Sequence, residues 1–349
     1  SLSLYTSGTQ YNGNAGINYG GLPNPDLTWQ KKLEFNAGLD YGFFNNRVFG
    51  SVDVYNTKRQ QALLNRPVGF VNGTDSYTEN IGEITIRGVD LAINVDVIRP
   101  KVVNGLKWTA NFNFGFIYNT VSKLYGGLSV LPGDPSVRVG RSTGSIFTQV
   151  YEGVNPATGR PMFLDTFSNV TYAPQLRDRR YIGDQEPDYI GGFGHTISYK
   201  GFALDALFTY EYGRLGTDGQ VNFMIENANR TFNTLRFAYE GRWTKPGDIT
   251  SFPRIFDTGV EPGGVNHATG SSRLWRKADF IRLRDVRLSY TFPSSIINRL
   301  KLTNAVFYVQ GQNLWTYTKW WGYDPEFVGT ATGIIPQTKN INVGLQLGF

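Results

Sequence analysis

The sequence predicts an all-β protein, an antiparallel sheet of about nine strands forming part of a transmembrane β-barrel. Three observations predict it. Apolar and polar residues alternate over segments of about ten residues, aromatic rings gather at the ends of those segments, and short connections alternate with long ones. Strict alternation sends successive side chains to opposite faces, so each segment has one apolar and one polar face. The segments approach the ~9–11 residues that a tilted strand needs to cross a bilayer, whereas strands of soluble proteins commonly have ~5–6.

Strands are expected near 33–43, 47–58, 86–98, 106–119, 189–199, 202–212, 280–292, 304–316 and 340–349. In the first, Phe35, Ala37, Leu39, Tyr41 and Phe43 oppose Glu34, Asn36, Gly38 and Asp40. The second carries Asp53, and the third sets Val89, Leu91, Ile93 and Val95 against Asp90, Asn94 and Asp96. The fourth sets Trp108, Phe112, Phe114 and Tyr118 against Asn111 and Asn113. His195 lies on the apolar face of the fifth, and the sixth sets Phe202, Leu204, Phe208 and Tyr212 against Asp205 and Glu211. The last, "NINVGLQLGF", alternates to a terminal aromatic, with Ile341, Val343, Leu345, Leu347 and Phe349 on one face. A soluble sandwich would also alternate, with its apolar side inward. The aromatic ends, Tyr41 and Phe43, Trp108 and Tyr118, Phe202 and Tyr212, Tyr290 and Phe292, fit the two water–lipid interfaces of a barrel instead.

The connections "FNNR", "RPKVVNG" and "KG" are short, and 59–85, 120–188, 213–279 and 317–339 are long. An outer-membrane barrel has this asymmetry, with its tight turns toward the periplasm. Residues before the first strand, "TSGTQYNGNAGINYGG", are expected to be loop. An odd strand count is unusual for a single-chain bacterial barrel. The 349 residues are therefore expected to be the carboxyl-terminal part of one barrel domain.

Composition narrows the chemistry. With no cysteine, disulfides, thiolate metal sites and thiol nucleophiles are excluded from these residues. The net charge is +6, but the basic residues are scattered apart from Arg177–Arg180 and Arg273–Arg287, and no nucleic-acid motif accompanies them. His195 and His267 are the two histidines, and neither sits in a metal-ligand spacing. No catalytic residue, cofactor or metal is expected, and the protein is read as a non-enzyme.

Binding is expected on the polar face and in the long connections. Asp40, Asp53, Asp90, Asn94, Asp96, Asn111, Asn113, Asp205 and Glu211 would line a lumen, a requirement of any water-filled or plugged barrel. Trp243, Trp275, Trp320, Trp321 and Tyr323 are candidate ligand-binding aromatics, because loops on a rigid scaffold commonly carry binding groups. Arg273, Arg276, Lys277, Arg282 and Arg284 are candidates to pair with phosphates of surface glycolipid, against the alternative of solvated loop charge.

Several stretches carry a resemblance. "NPDLTWQKKLEFNAGLDYGFFNNRVFGSVDVYNTKRQQAL", "NIGEITIRGVDLAINVDVI", "GVNPATGRPMF", "ADFIRLRDVRLSYTFPSSIINRL" and "VFYVQGQNLWTYTKWWGYDPEF" resemble, in order, segments of SusC/RagA-type TonB-dependent transporters of Bacteroidota. The resemblance implies a 22-stranded outer-membrane barrel of a Gram-negative bacterium, with a plug and amino-terminal strands that are not in this chain. It implies energised import of large nutrients, oligosaccharides or peptides. The implied partners are a SusD-like surface lipoprotein, TonB–ExbB–ExbD acting through the plug, and outer-membrane lipid. The terminal strand ending in Phe349 resembles the signal read by the barrel-assembly machinery. A passive pore or structural barrel without energised transport is the alternative reading.

Overall fold

The computed structural model describes residues 4–11, 14–68, 76–225, 233–255, 270–329, 333 and 335–349. Its principal feature is a nine-stranded antiparallel sheet. The strands are β1 (Lys31–Phe43), β2 (Val48–Pro67), β3 (Ser76–Ile98), β4 (Lys107–Leu124), β5 (Tyr189–Tyr199), β6 (Phe202–Tyr212), β7 (Phe280–Thr291), β8 (Asn304–Thr318) and β9 (Asn340–Gly348). They lie side by side in chain order from β1 to β9, so every neighbour is the next strand in sequence. A meander of this kind needs only local returns of the chain, and consecutive antiparallel strands can be joined by very short turns. No helix among the described residues is long and apolar enough to cross a membrane, which bears on helices alone.

Two expectations are corrected. Strands β2 and β3 have 20 and 23 residues, so the expected long connection 59–85 is mostly strand. At ~3.3 Å per residue each exceeds ~60 Å, about twice the ~30 Å hydrocarbon core of a bilayer. The period-two pattern fails midway in β2 because Gln61 takes a left-handed backbone, φ 59°, which shifts the parity of the residues after it. Second, the segment read as loop contains a hairpin, in which Leu4–Tyr11 pairs antiparallel with Asn14–Gly21. The Asn12-Gly13 dipeptide between them is itself a hairpin signal.

The chain divides into two compact units. The first comprises Ser1–Gly38, Asp53–Val89 and Ile117–Ser145. Its core is Ile81, Val121, Leu124 and Leu131, with Leu64, Tyr125 and Leu128 packed against them. The second comprises Leu39–Val52, Asp90–Phe116 and Ile146–Phe349. Its core lies within the long connections, where helices α1 (Gly219–Ile225) and α2 (Arg236–Glu240) bring Val221, Ile225 and Ala238 against Leu274.

Neither core covers the apolar face of the sheet in the second unit. Register places Trp108, Ile197, Leu204, Leu288, Val309 and Val343 in one row across six strands. Leu288 is 50 % exposed and Val343 66 %. A contiguous apolar surface of this size is not what a soluble monomer presents to water. His195, in the adjacent row between Ala110 and Ala206, is accommodated there because the Trp108 indole N–H donates to its Nδ1 at 3.4 Å.

Close strand contact depends on glycine at positions facing tyrosine rings. Tyr41 reaches over Gly50 to the Ala92 carbonyl, Tyr308 covers Gly344, and Tyr210 covers Gly191. An aromatic ring laid over a strand glycine fills the space its missing side chain leaves.

Candidate functional site: the polar face and the clamped last connection

The polar face follows from the same register. One row runs Thr109, Thr196, Asp205, Arg287, Gln310 and Asn342; the next runs Asn111, Gly194, Leu207, Asp285, Gln312 and Asn340. The Thr196 hydroxyl donates to Asp205 at 2.7 Å, Gln310 Nε2 donates to Asp285 at 2.5 Å, and the Arg287 guanidinium lies 4.2 Å from the Tyr308 ring centre. The face therefore offers amides, hydroxyls and both signs of charge, groups able to hold a hydrated polar solute.

A bulge concentrates charge at the long-connection end. Leu283 pairs with Phe208 and Trp315, but Asp285 pairs with Leu207 and Gln312, leaving Arg284 extra on β7 and two residues extra on β8. Asn313, one of those two, has φ 53°. Strict alternation would have sent either Arg284 or Asp285 to the apolar face; the bulge lets both serve the polar one.

The connection from β8 to β9 folds back onto these arginines. Arg282 Nη2 donates to Asp324 at 2.6 Å, and its Nη1 lies 3.3 Å from Glu326. Arg284 pairs with Glu326 and donates to Gln337 Oε1 at 2.6 Å. Arg214 donates to the Pro325 carbonyl at 2.5 Å, and Asp218 accepts the Tyr323 N–H at 3.2 Å. Arg282 and Asp324 are both buried, so each charge is held by its partner rather than by water. Burial alone would push the Asp324 carboxyl up. Hydrogen bonds from Arg282 and from the Glu326 and Gln337 backbone N–H groups outweigh it and hold the group below the usual carboxylate range.

This corrects the glycolipid expectation for the basic cluster. Arg282 and Arg284 turn to the polar face and are paired, and Arg273 is 3 % exposed beneath Phe252 and Tyr151. Arg276 lies over the Trp321 ring at 4.4 Å. Lys277 alone of the five is exposed. Strand alternation could not reveal this, because the carboxylates that hold Arg282 lie 42 and 44 residues away.

Four of the five candidate aromatics are parts of the loop scaffold. Trp243 donates to the Pro156 carbonyl at 2.8 Å and lies against Gly159, Trp275 and Trp321 pack on the α1–α2 cluster, and Trp320 is 7 % exposed. Tyr323 is 51 % exposed and sits on the clamped connection. Tyr151, by contrast, is half-buried, and desolvation pushes its phenol up to about 12 despite Arg273 and Arg276 nearby. Phe237 and Tyr239, both exposed on α2, were not anticipated, since a five-residue helix has no periodic signature.

The acidic and amide candidates separate by place. Asn111, Asn113, Asp205 and Glu211 lie on the polar face, with Glu211 paired to Arg214 at 3.1 Å. Asp90 and Asn113 line a depression of about 350 Å³ with Ser51, Gly115 and Ile190. Asp96 is instead at the short-turn end, 2.9 Å from Arg99, and Asp40 is exposed on the edge strand β1. Asn94 and Asp53 are half-buried in β3 and β2. His267 lies outside the described residues, and no group of three metal-ligating side chains occurs among them.

Residues 1–228 match the model of the family described as TonB dependent receptor-like, beta-barrel. A TonB-dependent receptor of Formosa agariphila is 26 % identical over all of this chain and 38 % of its own length. The TonB-dependent receptor SusC of Bacteroides thetaiotaomicron is 26 % identical over 93 % of this chain and 32 % of its own. Among solved structures, the RagAB peptide transporter superposes with a TM-score of 0.82 at 27 % identity, covering the whole chain and 38 % of the matched one. The chain thus spans about a third to two-fifths of the length of these relatives.

Proposed function

Because this chain belongs to the TonB-dependent receptor-like β-barrel family, we propose that it forms part of the wall of an energised importer in the outer membrane of a Bacteroidota cell. The observation that carries the reading is the pair of unlike faces held in register from β4 to β9, one apolar and uncovered, the other polar and charged. Lipid would cover the first and the transport path would run along the second. In this orientation the short turns face the periplasm and the long connections the cell exterior.

The substrate class is a large polar nutrient, an oligosaccharide or a peptide, and the likeness to the RagAB peptide transporter supports the second of these. A SusD-like lipoprotein would cap the long-connection end, and TonB–ExbB–ExbD would act through a plug carried elsewhere in the whole protein.

The test is uptake of fluorescent oligopeptides and oligosaccharides by cells expressing the full-length protein, with and without a protonophore. An importer loses uptake of its substrate when the proton gradient collapses; a passive pore does not. Tyr323→Ala is expected to lower uptake several-fold at an unchanged outer-membrane level, since its ring is exposed and its backbone stays clamped. Trp320→Ala is expected to lower the level itself, because truncating a buried Trp opens a cavity costing about 3–5 kcal/mol.

A further inference from the structure

The turns at the short-turn end of the sheet carry basic charge alone, and the acid beside them, Asp96, is paired with Arg99. The four connections, 44–47, 99–106, 200–201 and 292–303, contain six basic residues and no acid, and Lys107 opens β4 beside them. Arg47 and Arg99 are engaged internally. Arg47 donates to the Asp96 and Val97 carbonyls, and Arg99 to the Asn45 and Asn46 carbonyls as well as to Asp96. Lys101, Lys107, Lys200, Arg299 and Lys301 are exposed and have no ion pair among the described residues. The long-connection end differs, because its arginines meet Asp324, Glu326 and Glu211.

The turns also join into one continuous rim. Arg99 ties the first to the second, the Lys200 N–H donates to the Asn104 carbonyl at 3.1 Å, and the Thr291 N–H donates to Gly201 at 2.8 Å. The Thr303 N–H then donates to Gly348 at 2.8 Å, extending the rim to β9.

Apolar side chains stand between the cations. Val102 and Val103, beside Lys101, are 70 % and 91 % exposed, and Leu300, between Arg299 and Lys301, is 63 % exposed. Just inside the rim, Tyr199, Phe202, Tyr290 and Phe307 form an aromatic row in register on the apolar face. The Lys200 ammonium lies 5.1 Å from the Tyr199 ring centre. Aromatic rings, then exposed aliphatic tips, then unpaired cations is the order of polarity met on leaving a hydrocarbon layer through its headgroups.

We propose that this rim binds the phosphate headgroups of anionic phospholipids in the periplasmic leaflet. The occupant is a lipid rather than a soluble polyanion because the cations continue an apolar, aromatic face and carry aliphatic side chains among them. Unpaired ammonium and guanidinium groups at that depth favour anionic over zwitterionic headgroups, and salt weakens the preference.

The test is native mass spectrometry of the full-length protein in detergent, titrated with phosphatidylglycerol and with phosphatidylcholine of the same chains. The expected result is at least fivefold preferential retention of phosphatidylglycerol, falling several-fold in 0.5 M salt, a measurement that needs no variant. K101Q/K107Q/K200Q/R299Q/K301Q should abolish the preference while keeping heat-modifiable gel mobility, the sign of a closed barrel. Should that variant not assemble, K101Q/K301Q, confined to turn tips, should reduce the preference at least twofold. K277Q/K319Q at the opposite end should leave it intact. A preference unchanged by salt and by the rim variants, or lost equally in K277Q/K319Q, overturns the proposal, as does equal binding of soluble polyglutamate. None of these outcomes touches the importer reading, which stands or falls on energised uptake.

Discussion

Arg282→Met is expected to release the connection between β8 and β9 from the sheet. The substitution takes from Asp324 the guanidinium it contacts at 2.6 Å and leaves Glu326, 3.3 Å from the same group, with Arg284 alone. Removing one partner of a buried ion pair costs about 3–5 kcal/mol, because the remaining charge has neither water nor counterion. At ~1.4 kcal/mol per tenfold, the low end corresponds to ~100-fold more frequent opening of the connection. Hydrogen exchange of the amides in 319–329 measures this; exchange as slow as in the parent would show that the clamp does not hold the loop. Arg282→Met/Asp324→Leu should recover part of the loss, since it removes the stranded carboxylate. Acid should act like the substitution. The carboxyl of Asp324 is held below its usual range, so its stabilising effect is complete above ~pH 4 and is lost as the pH falls through the lowered value. Protection of 319–329 should be flat between pH 7 and pH 5 and decline below ~pH 4.

Gly191→Val is expected to prevent closure of β4 against β5. A Cβ at Gly191 would lie 2.3 Å from the Asn113 carbonyl oxygen and 2.6 Å from the Tyr210 hydroxyl. The hydroxyl can swing away, but the carbonyl belongs to the neighbouring strand and can yield only if the strands separate. Overpacking in well-packed regions costs about 1–3 kcal/mol when side chains can give way, and here a backbone contact cannot. The folded, heat-modifiable fraction in outer membranes should fall severalfold. Gly115→Ala is the milder control, because its Cβ would meet only side chains, the Asp90 carboxylate at 3.1 Å and Ile190 Cγ1 at 3.2 Å, which can shift without parting the strands. Normal assembly of Gly191→Val would mean that β4 and β5 are not joined in this register.

The features that were legible in the sequence are those set by local alternation. The nine strands, their order, and the apolar set Ile341, Val343, Leu345 and Leu347 follow from period two alone. Alternation ceased to inform wherever the backbone changed parity. Gln61 hid the second half of β2, and alternation gave no sign of the bulge at Arg284 within an otherwise continuous β7. The clamp was illegible for a different reason. "WWGYDPEF" reads as an aromatic loop, and nothing local indicates that Asp324 meets an arginine 42 residues earlier while Trp320 is enclosed by Gly216 and Val328. His195 breaks the pattern of an apolar face, and its partner lies on the neighbouring strand, where Trp108 supplies the hydrogen bond. Basic residues near one another in sequence were also a poor guide to surface charge. The cluster from Arg273 to Arg284 is mostly internal, whereas the exposed rim is assembled from four separate turns.

The central claim is that one face of this sheet meets lipid and the other the transport path. The most direct measurement is a single-cysteine scan of 341–346 in the full-length protein, on a cysteine-free background, with each site carrying an environment-sensitive fluorophore in native outer membranes. The prediction is a strict alternation. Labels at 341, 343 and 345 should be quenched by lipid-soluble nitroxide and shielded from aqueous iodide, and labels at 342 and 346 should show the reverse pattern or no lipid quenching. Equal quenching at odd and even positions, or an inverted pattern, would contradict the account.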